Sequence, residues 1–191
     1  MFAPKGDDPK GRFTINFAPL NAKLLDYVHN LPRIEEVLDI LGKKGRIYSG
    51  FDLKDAFHQL PIHIEDRAML TFTSSSGRWQ YTRLPQGMKM STSHFQEVIS
   101  RTLGEHIYKD VMVYVDDMFV FTKTYREHVE VLRSIFTLLK RDNLKLKKEK
   151  CNIFTKKLKV LGFELSEEGI SPCKEKVEAI SGAPYPKNAN N

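Results

Sequence analysis

The run Val111-Met-Val-Tyr-Val-Asp116-Asp117-Met-Phe-Val-Phe121 decides how the rest of this 191-residue chain is read. Nine of its eleven residues are apolar or aromatic, and the two exceptions are adjacent carboxylates. Two short apolar strands folded into a hairpin fit this pattern, with Asp116 and Asp117 at the tip. Aspartate is at home in tight turns, where its side chain bonds nearby amides. Yet a two-residue hairpin loop favours Asn-Gly or Asp-Gly, because it needs positive φ angles. Two adjacent like charges also repel unless a cation shares them. The pair reads either as a polar turn or as a cation site.

Working outward, Ile47-Tyr-Ser-Gly-Phe-Asp52-Leu53 is a second apolar strand that runs into an acid. A strand-end acid can simply cap the following turn. If the two strands are neighbours, however, Asp52 and Asp116 can hold a pair of Mg²⁺ ions about 3.5–4 Å apart. Mg²⁺ is usually held by one or two carboxylates, with waters and substrate phosphates on its other positions. That arrangement suits phosphoryl or nucleotidyl transfer, in which positioning and charge neutralisation dominate.

The remaining pattern mixes helices with mostly antiparallel strands and lacks a βαβ rhythm, so the class is α+β. The first 31 residues read as a loop, a short strand or two around Arg12–Phe17, and another loop. A helix is expected from Pro32, with Ile34, Val37, Leu38 and Leu41 at helical spacing and Gly42 as its stop. Residues 59–83 hold short alternating runs (LPIHI, MLTFT, WQYTRL) around the turn Ser74-Ser-Ser-Gly77, which predicts an antiparallel hairpin. Helices are expected over 91–107, with Phe95, Val98, Ile99 and Leu103 on one face, and over 125–141, with His128, Leu132, Ile135, Phe136 and Leu139 in one stripe. Strands near 152–154 and 158–165 and a helix from about Pro172 complete the pattern.

Apolar residues at 41% and aromatics at 10% provide for a core and exclude disorder throughout. No apolar run approaches the roughly 20 residues of a membrane helix, no signal peptide is expected at the start, and no membrane partner is implied. Cys151 and Cys173 fit neither a disulfide scaffold nor a zinc site, and point to a reducing compartment. Eight of the 30 basic residues but only two of the 24 acidic ones lie in 141–160, so the whole net charge of +6 resides in that stripe. A nucleic-acid backbone is a natural partner for it, and a solvated lysine-rich surface is the bland alternative. The tail from Ala183 onward reads as a fragment boundary.

Three segments carry a resemblance. Phe51-Asp52-Leu-Lys-Asp55-Ala-Phe57, then Leu84-Pro-Gln86-Gly87-Met-Lys-Met-Ser91 with Phe95-Gln96, then Tyr114-Val-Asp116-Asp117 resemble, in order and spacing, successive motifs of the reverse transcriptases. Flanking stretches around Arg12–Asn21, Lys150–Phe154 and Val160–Ile170 agree, and the helix with His128 favours the gypsy-like LTR retrotransposons and their retroviral relatives. The resemblance covers roughly residues 5 to 185. It implies a right-hand polymerase of fingers and palm, with an antiparallel palm sheet backed by helices and the thumb absent. Fingers would span about 1–27 and 60–90, palm about 28–59 and 91–168, and the start of the thumb region about 169–191.

The implied activity is RNA-directed DNA synthesis, from an RNA or DNA template with a primer and deoxynucleoside triphosphates. Two Mg²⁺ ions, with Mn²⁺ as a substitute, would sit on Asp52, Asp116, Asp117 and the carbonyl of Leu53. Lys150 would protonate the leaving pyrophosphate. Backbone amides of Asp55 and Ala56, the side chains of Lys5, Arg12 and Gln86, and the ring of Phe57 would bind the nucleotide, with Phe57 excluding a 2′-hydroxyl. Leu161, Gly162 and Phe163 would support the primer. For Phe57 the bland alternative is plain core, for Gln86 an exposed loop, and for Leu161–Phe163 an ordinary hairpin.

Asn16 and Ala18 depart from the family's acidic and basic residues, and Thr92 from its proline. Downstream thumb and RNase H regions of a longer Pol polyprotein are expected partners. A cytoplasmic particle and the nucleus are both compatible locations. The competing function is a decayed or truncated copy that binds nucleic acid through 141–160 without turnover. A nucleotide cyclase or other two-metal enzyme would leave Leu84–Gly87 unexplained.

Overall fold

The computed structural model describes residues 2–5, 8–166 and 168–182, with side chains from Thr14 onward. The elements in chain order are β1 (Phe2–Lys5), β2 (Asp8–Phe13), α1 (Ala18–Asn21), α2 (Ile34–Lys44), β3 (Ile47–Asp52), β4 (Thr71–Ser74), β5 (Gly77–Gln80) and α3 (Ser91–Leu103). They continue with β6 (Val111–Tyr114), β7 (Asp117–Thr122), α4 (Tyr125–Arg141), β8 (Asn152–Thr155), β9 (Leu158–Val160), β10 (Phe163–Ser166), β11 (Gly169–Pro172) and α5 (Lys174–Ser181). Short 3₁₀ turns cover Ala56–Gln59, Ile64–Leu70, Gly104–His106 and Lys148–Lys150.

The central sheet has the order β6-β7-β3-β8, with each neighbouring pair antiparallel. Both of its faces are covered, which is why its strands read as continuous apolar runs. Val111, Val113, Met118 and Val120 point to one face, where they pack with Phe95, Ile99 and Leu103 of α3 and Val131, Leu132 and Ile135 of α4. Met112, Phe119 and Phe121 point to the other, against Val37, Leu38 and Leu41 of α2 and Leu158, Val160 and Leu165 of β9 and β10. The period-two geometry of a strand sorts these residues between the two layers.

The helix over 125–141 forms as expected. Its N-cap Thr124 accepts the Glu127 N–H, and Glu127 reaches back to the Lys123 N–H, a reciprocal capping arrangement. Five expectations shift. The strand near 158–165 is two, β9 and β10, joined at Leu161–Gly162, whose positive φ angles turn the chain, and the strand expected around 12–17 lies earlier and ends at Phe13. α2 runs through Gly42 to Lys44, and a Cβ at position 42 would lie 3.1 Å from Ile170 Cδ1, so the glycine leaves room for β11 rather than ending the helix. The helix from Ser91 ends at Leu103 and continues as a 3₁₀ turn. In 59–83 only β4 and β5 form the hairpin; Leu60–Ile64 meets 82–84 only across a Pro61–Arg83 bridge before the 3₁₀ turn Ile64–Leu70 takes the chain away.

Candidate active site

β3 and β7 lie side by side and end together. Their register runs from Ile47 opposite Thr122 to Asp52 opposite Asp117. The hairpin between β6 and β7 closes with Tyr114 opposite Asp117, so its two central residues are Val115 and Asp116. The sequence pattern put both aspartates at the tip. Instead, Asp116 occupies the turn and Asp117 belongs to the strand, facing Asp52. Val115 has φ 54°, a conformation β-branched residues rarely adopt, so local strain is stored in this turn. The turn is also tied to β3 by main chain, because Leu53 N–H donates to Asp116 O at 3.1 Å.

A second segment completes the site. Lys147 N–H donates to Asp52 O at 2.8 Å and Leu53 bridges Leu146, which brings the turn Lys148–Lys150 over the strand end. Lys150 Nζ then meets Asp52 Oδ2 at 2.6 Å. Burial, followed by the facing charge of Asp52, pushes the Asp117 carboxyl above the usual carboxylate range, and Lys150 partly offsets this. The hydrogen bond to Asp52 holds the Lys150 ammonium above its ordinary value.

Asp52, Asp117 and Lys150 are therefore gathered, with Asp116 adjacent in the turn. Among the described residues no group of three or more His, Cys, Asp or Glu side chains is assembled as a ready cation cage. The donor set nevertheless fits a hard divalent cation, which asks for only one or two carboxylates and takes its other ligands from water and phosphate. Half-buried Asp117 facing a like charge is the feature such a cation relieves.

The other candidates surround this end of the sheet. Asp55 has φ 47° and starts the 3₁₀ turn Ala56–Gln59, where Ala56 and Phe57 are buried. The Phe57 ring packs on Phe95 at 5.6 Å between centroids and belongs to the core on the α3/α4 face. Gln86 is half-buried in a loop held from two sides. Asn21 donates to Gly87 O at 2.9 Å and accepts the Lys89 N–H at 2.8 Å, while Ser91 Oγ donates to Pro85 O at 2.8 Å. Gly87 has φ 93°, which accounts for a glycine at that position.

Leu161 (φ 50°) and Gly162 (φ 83°) form the two-residue turn between β9 and β10, as positive φ at both positions requires. Lys176 Nζ lies 4.7 Å from the Phe163 ring centroid. Asn16 accepts the Ala18 N–H at 2.9 Å. Lys5 and Arg12 lie outside the residues whose side chains are described.

Two residues take contacts that no motif assigns to them. His128 is buried between Ser49 and Thr122, at 2.7 and 2.8 Å from their hydroxyls. Gln59 bonds the main chain of Lys54 and Lys145. Neither stands out locally, since each is defined by partners distant in sequence.

Residues 3–165 match the family described as "Reverse transcriptase (RNA-dependent DNA polymerase)". This chain belongs to the reverse transcriptase family. It is 31% identical over 188 residues to the transposon Tf2-3 polyprotein of Schizosaccharomyces pombe, covering 98% of this chain and 14% of that protein. It is also 31% identical over 189 residues to the retrovirus-related Pol polyprotein from transposon 412 of Drosophila melanogaster, covering 99% and 15%. The chain thus spans about a seventh of the length of these curated relatives.

In fold, it superimposes on the foamy viral protease-reverse transcriptase in complex with double-stranded DNA with a TM-score of 0.90 at 23% identity, over 99% of this chain and 33% of that one. With the RNA/DNA hybrid complex of that protease-reverse transcriptase the TM-score is 0.81 at 25% identity, over 95% and 24%. The α+β architecture of this reverse transcriptase domain is the polymerase fingers–palm fold, and its family generally uses divalent metal ions.

Proposed function

We propose that the chain is the fingers–palm catalytic region of an RNA-directed DNA polymerase carried within a longer retrotransposon Pol polyprotein, and that it extends a primer on an RNA or DNA template. The carrying observation is the pairing of Asp52 with Asp117 at the shared end of β3 and β7, with Lys150 on Asp52. In this reading the fingers comprise about 1–27 and 60–90, the palm about 28–59 and 91–168, and the thumb region starts near 169.

Asp52, Asp116 and Asp117, with the carbonyl of Leu53, would hold two Mg²⁺ ions, for which Mn²⁺ can substitute. When bound, the ions lower the pKa of the primer 3′-hydroxyl and neutralise the triphosphate. The chain's own residues do the rest. Amides of Asp55 and Ala56 bind phosphate oxygens, Gln86 contacts the nucleotide from its anchored loop, and Phe57 closes the floor beneath the sugar. Lys150 holds a proton at Nζ beside Asp52, placed for the pyrophosphate leaving group. Lys5 and Arg12 add cations to the triphosphate site, and the turn Leu161–Phe163 supports the primer. Thumb and RNase H regions further along the polyprotein supply the remaining grip.

Nucleic-acid binding without turnover, through 141–160, is the competing reading. Within the stripe Arg141 pairs with Asp142, Lys150 with Asp52 and Lys159 with Glu175. The middle pair joins the stripe to the carboxylates and favours catalysis. Primer extension on oligo(dT)-primed poly(rA) with Mg²⁺ tests the proposal, using this chain and one continued beyond Asn191. Incorporation abolished by Asp52→Asn supports it. Extension that survives this change, or binding with no extension from either chain, sinks it.

A further inference from the structure

Gln59 joins two segments that the proposed polymerase site needs and meets the approach to a third, although it belongs to none of its motifs. Both of its amide N–H donors are used, on Lys54 O at 2.5 Å and Lys145 O at 3.0 Å. Its carbonyl accepts the Lys145 N–H at 2.6 Å. All three bonds go to main chain. They continue a ladder that ends just there, where Leu53 bridges Leu146 and Lys54 N–H donates to Lys145 O at 2.9 Å. The carboxamide stands in for a strand partner at the point where the chain leaves the sheet and turns at Asp55.

The main chain around Gln59 reaches the third segment. Its carbonyl accepts from Arg83 Nη1 at 3.0 Å, and Leu84 N–H donates to Leu60 O at 2.9 Å, immediately before the loop of Gln86. Gln59 thus ties Asp52–Phe57 to the strand-like stretch that leads to Lys150, and with its neighbour Leu60 it holds Arg83 and Leu84 at the start of the Gln86 loop. A side chain whose polar capacity is spent this fully on backbone is poorly replaced. An isosteric glutamate would keep the acceptor for Lys145 N–H but would turn a carboxylate toward two carbonyl oxygens.

We propose that Gln59 is a positioning residue for nucleotide binding, which fixes the amides of Asp55 and Ala56 in register with Asp52 and Lys150. This rests on the polymerase reading above. It predicts that Gln59→Ala and Gln59→Glu raise the KM for deoxynucleoside triphosphate roughly ten-fold or more, with a smaller fall in kcat, because small misplacements of binding groups are costly. Primer–template Kd and the cooperative unfolding transition should stay near those of the parent.

Steady-state primer extension on the folded variants, with primer–template binding and thermal melting measured alongside, tests this. A dNTP KM equal to the parent's overturns the proposal. So does a fall in kcat alone that tracks a lower melting temperature, since general loosening would produce it. Hydrogen exchange at the amides of residues 54–57 gives a readout that does not need turnover. Faster exchange there in Gln59→Ala, with the sheet amides unchanged, supports the positioning role, and unchanged exchange overturns it. An inactive parent would count against the polymerase reading alone, and the exchange result would then decide the role of Gln59.

Discussion

Strands β3 and β7 carry two polar clusters with opposite character. At the open end, Asp52 and Asp117 face each other, and one lysine serves both carboxylates. Further along the same two strands, Ser49 and Thr122 enclose His128 from α4. There every hydrogen has a place. Thr122 Oγ donates to Thr124 O, so it accepts from His128 Nδ1–H. Ser49 Oγ accepts the Phe154 N–H and donates to His128 Nε2. The imidazole is therefore the neutral Nδ1–H tautomer, and burial holds its pKa below the ordinary histidine value. The difference separates two uses of buried polarity. A satisfied neutral network fixes how strands and helix meet, whereas an unbalanced charged one keeps binding capacity for something that arrives later.

Neutralising the charged cluster should have the largest effect. Asp117→Asn should lower primer extension by at least about a hundred-fold while leaving thermal stability equal to the parent's or higher. A carboxyl whose folded pKa is raised stabilises the fold only while protonated. That contribution is complete below its ordinary value of 3.8 and is lost as pH rises through the folded value. At neutral pH the substitution removes a penalty. A clear drop in melting temperature would show that Asp117 is a structural acid instead.

The neutral cluster should behave the opposite way. His128→Ala leaves a cavity and two buried hydroxyls without their partner, and should cost about 2–4 kcal/mol in urea unfolding. A loss of less than about 0.5 kcal/mol, the size of an ordinary surface change, would deny the network its role.

A subtler measurement uses pH. His128 has a depressed folded pKa, so below 6.5 the unfolded chain takes up a proton that the folded chain refuses. Stability should decline as pH falls from about 6.5 through the folded value, with no contribution from this residue above that window. Asp117 acts with the opposite sign at lower pH. The decline near pH 6 should be shallower in His128→Phe, and an unchanged slope would remove His128 as its source. The smallest effect is expected at the exposed pair of Lys159 and Glu175, where Lys159→Met should leave the melting temperature unaltered because solvent screens both charges.

The two clusters also differ in how far they could be read in advance. Asp52, Asp116 and Asp117 stand out because carboxylates interrupt apolar runs, and a carboxylate in such a setting asks for a reason. His128 falls on an apolar stripe of α4 and looks there like one more core position. Gln59 lies in a stretch that alternation assigns to a strand, but the 3₁₀ turns Ala56–Gln59 and Ile64–Leu70 deny it that ladder. Lys150 is one of seven lysines in 141–160, and charge counting does not distinguish them.

Sequence by itself determined the α+β class, the long helix over 125–141, the apolar strands and the order of the three motifs, because periodicity, capping and spacing are local properties of the chain. Tertiary structure alone decided that Asp117 rather than Asp116 faces Asp52, that Lys150 reaches the pair, and that Gln59 and His128 bind where they do. A strand's pattern fixes which residues share a face, but its neighbour and register are set by contacts between distant segments. Hydrogen bonds such as Lys150 to Asp52, 98 residues apart, exist only once both layers have packed on the sheet.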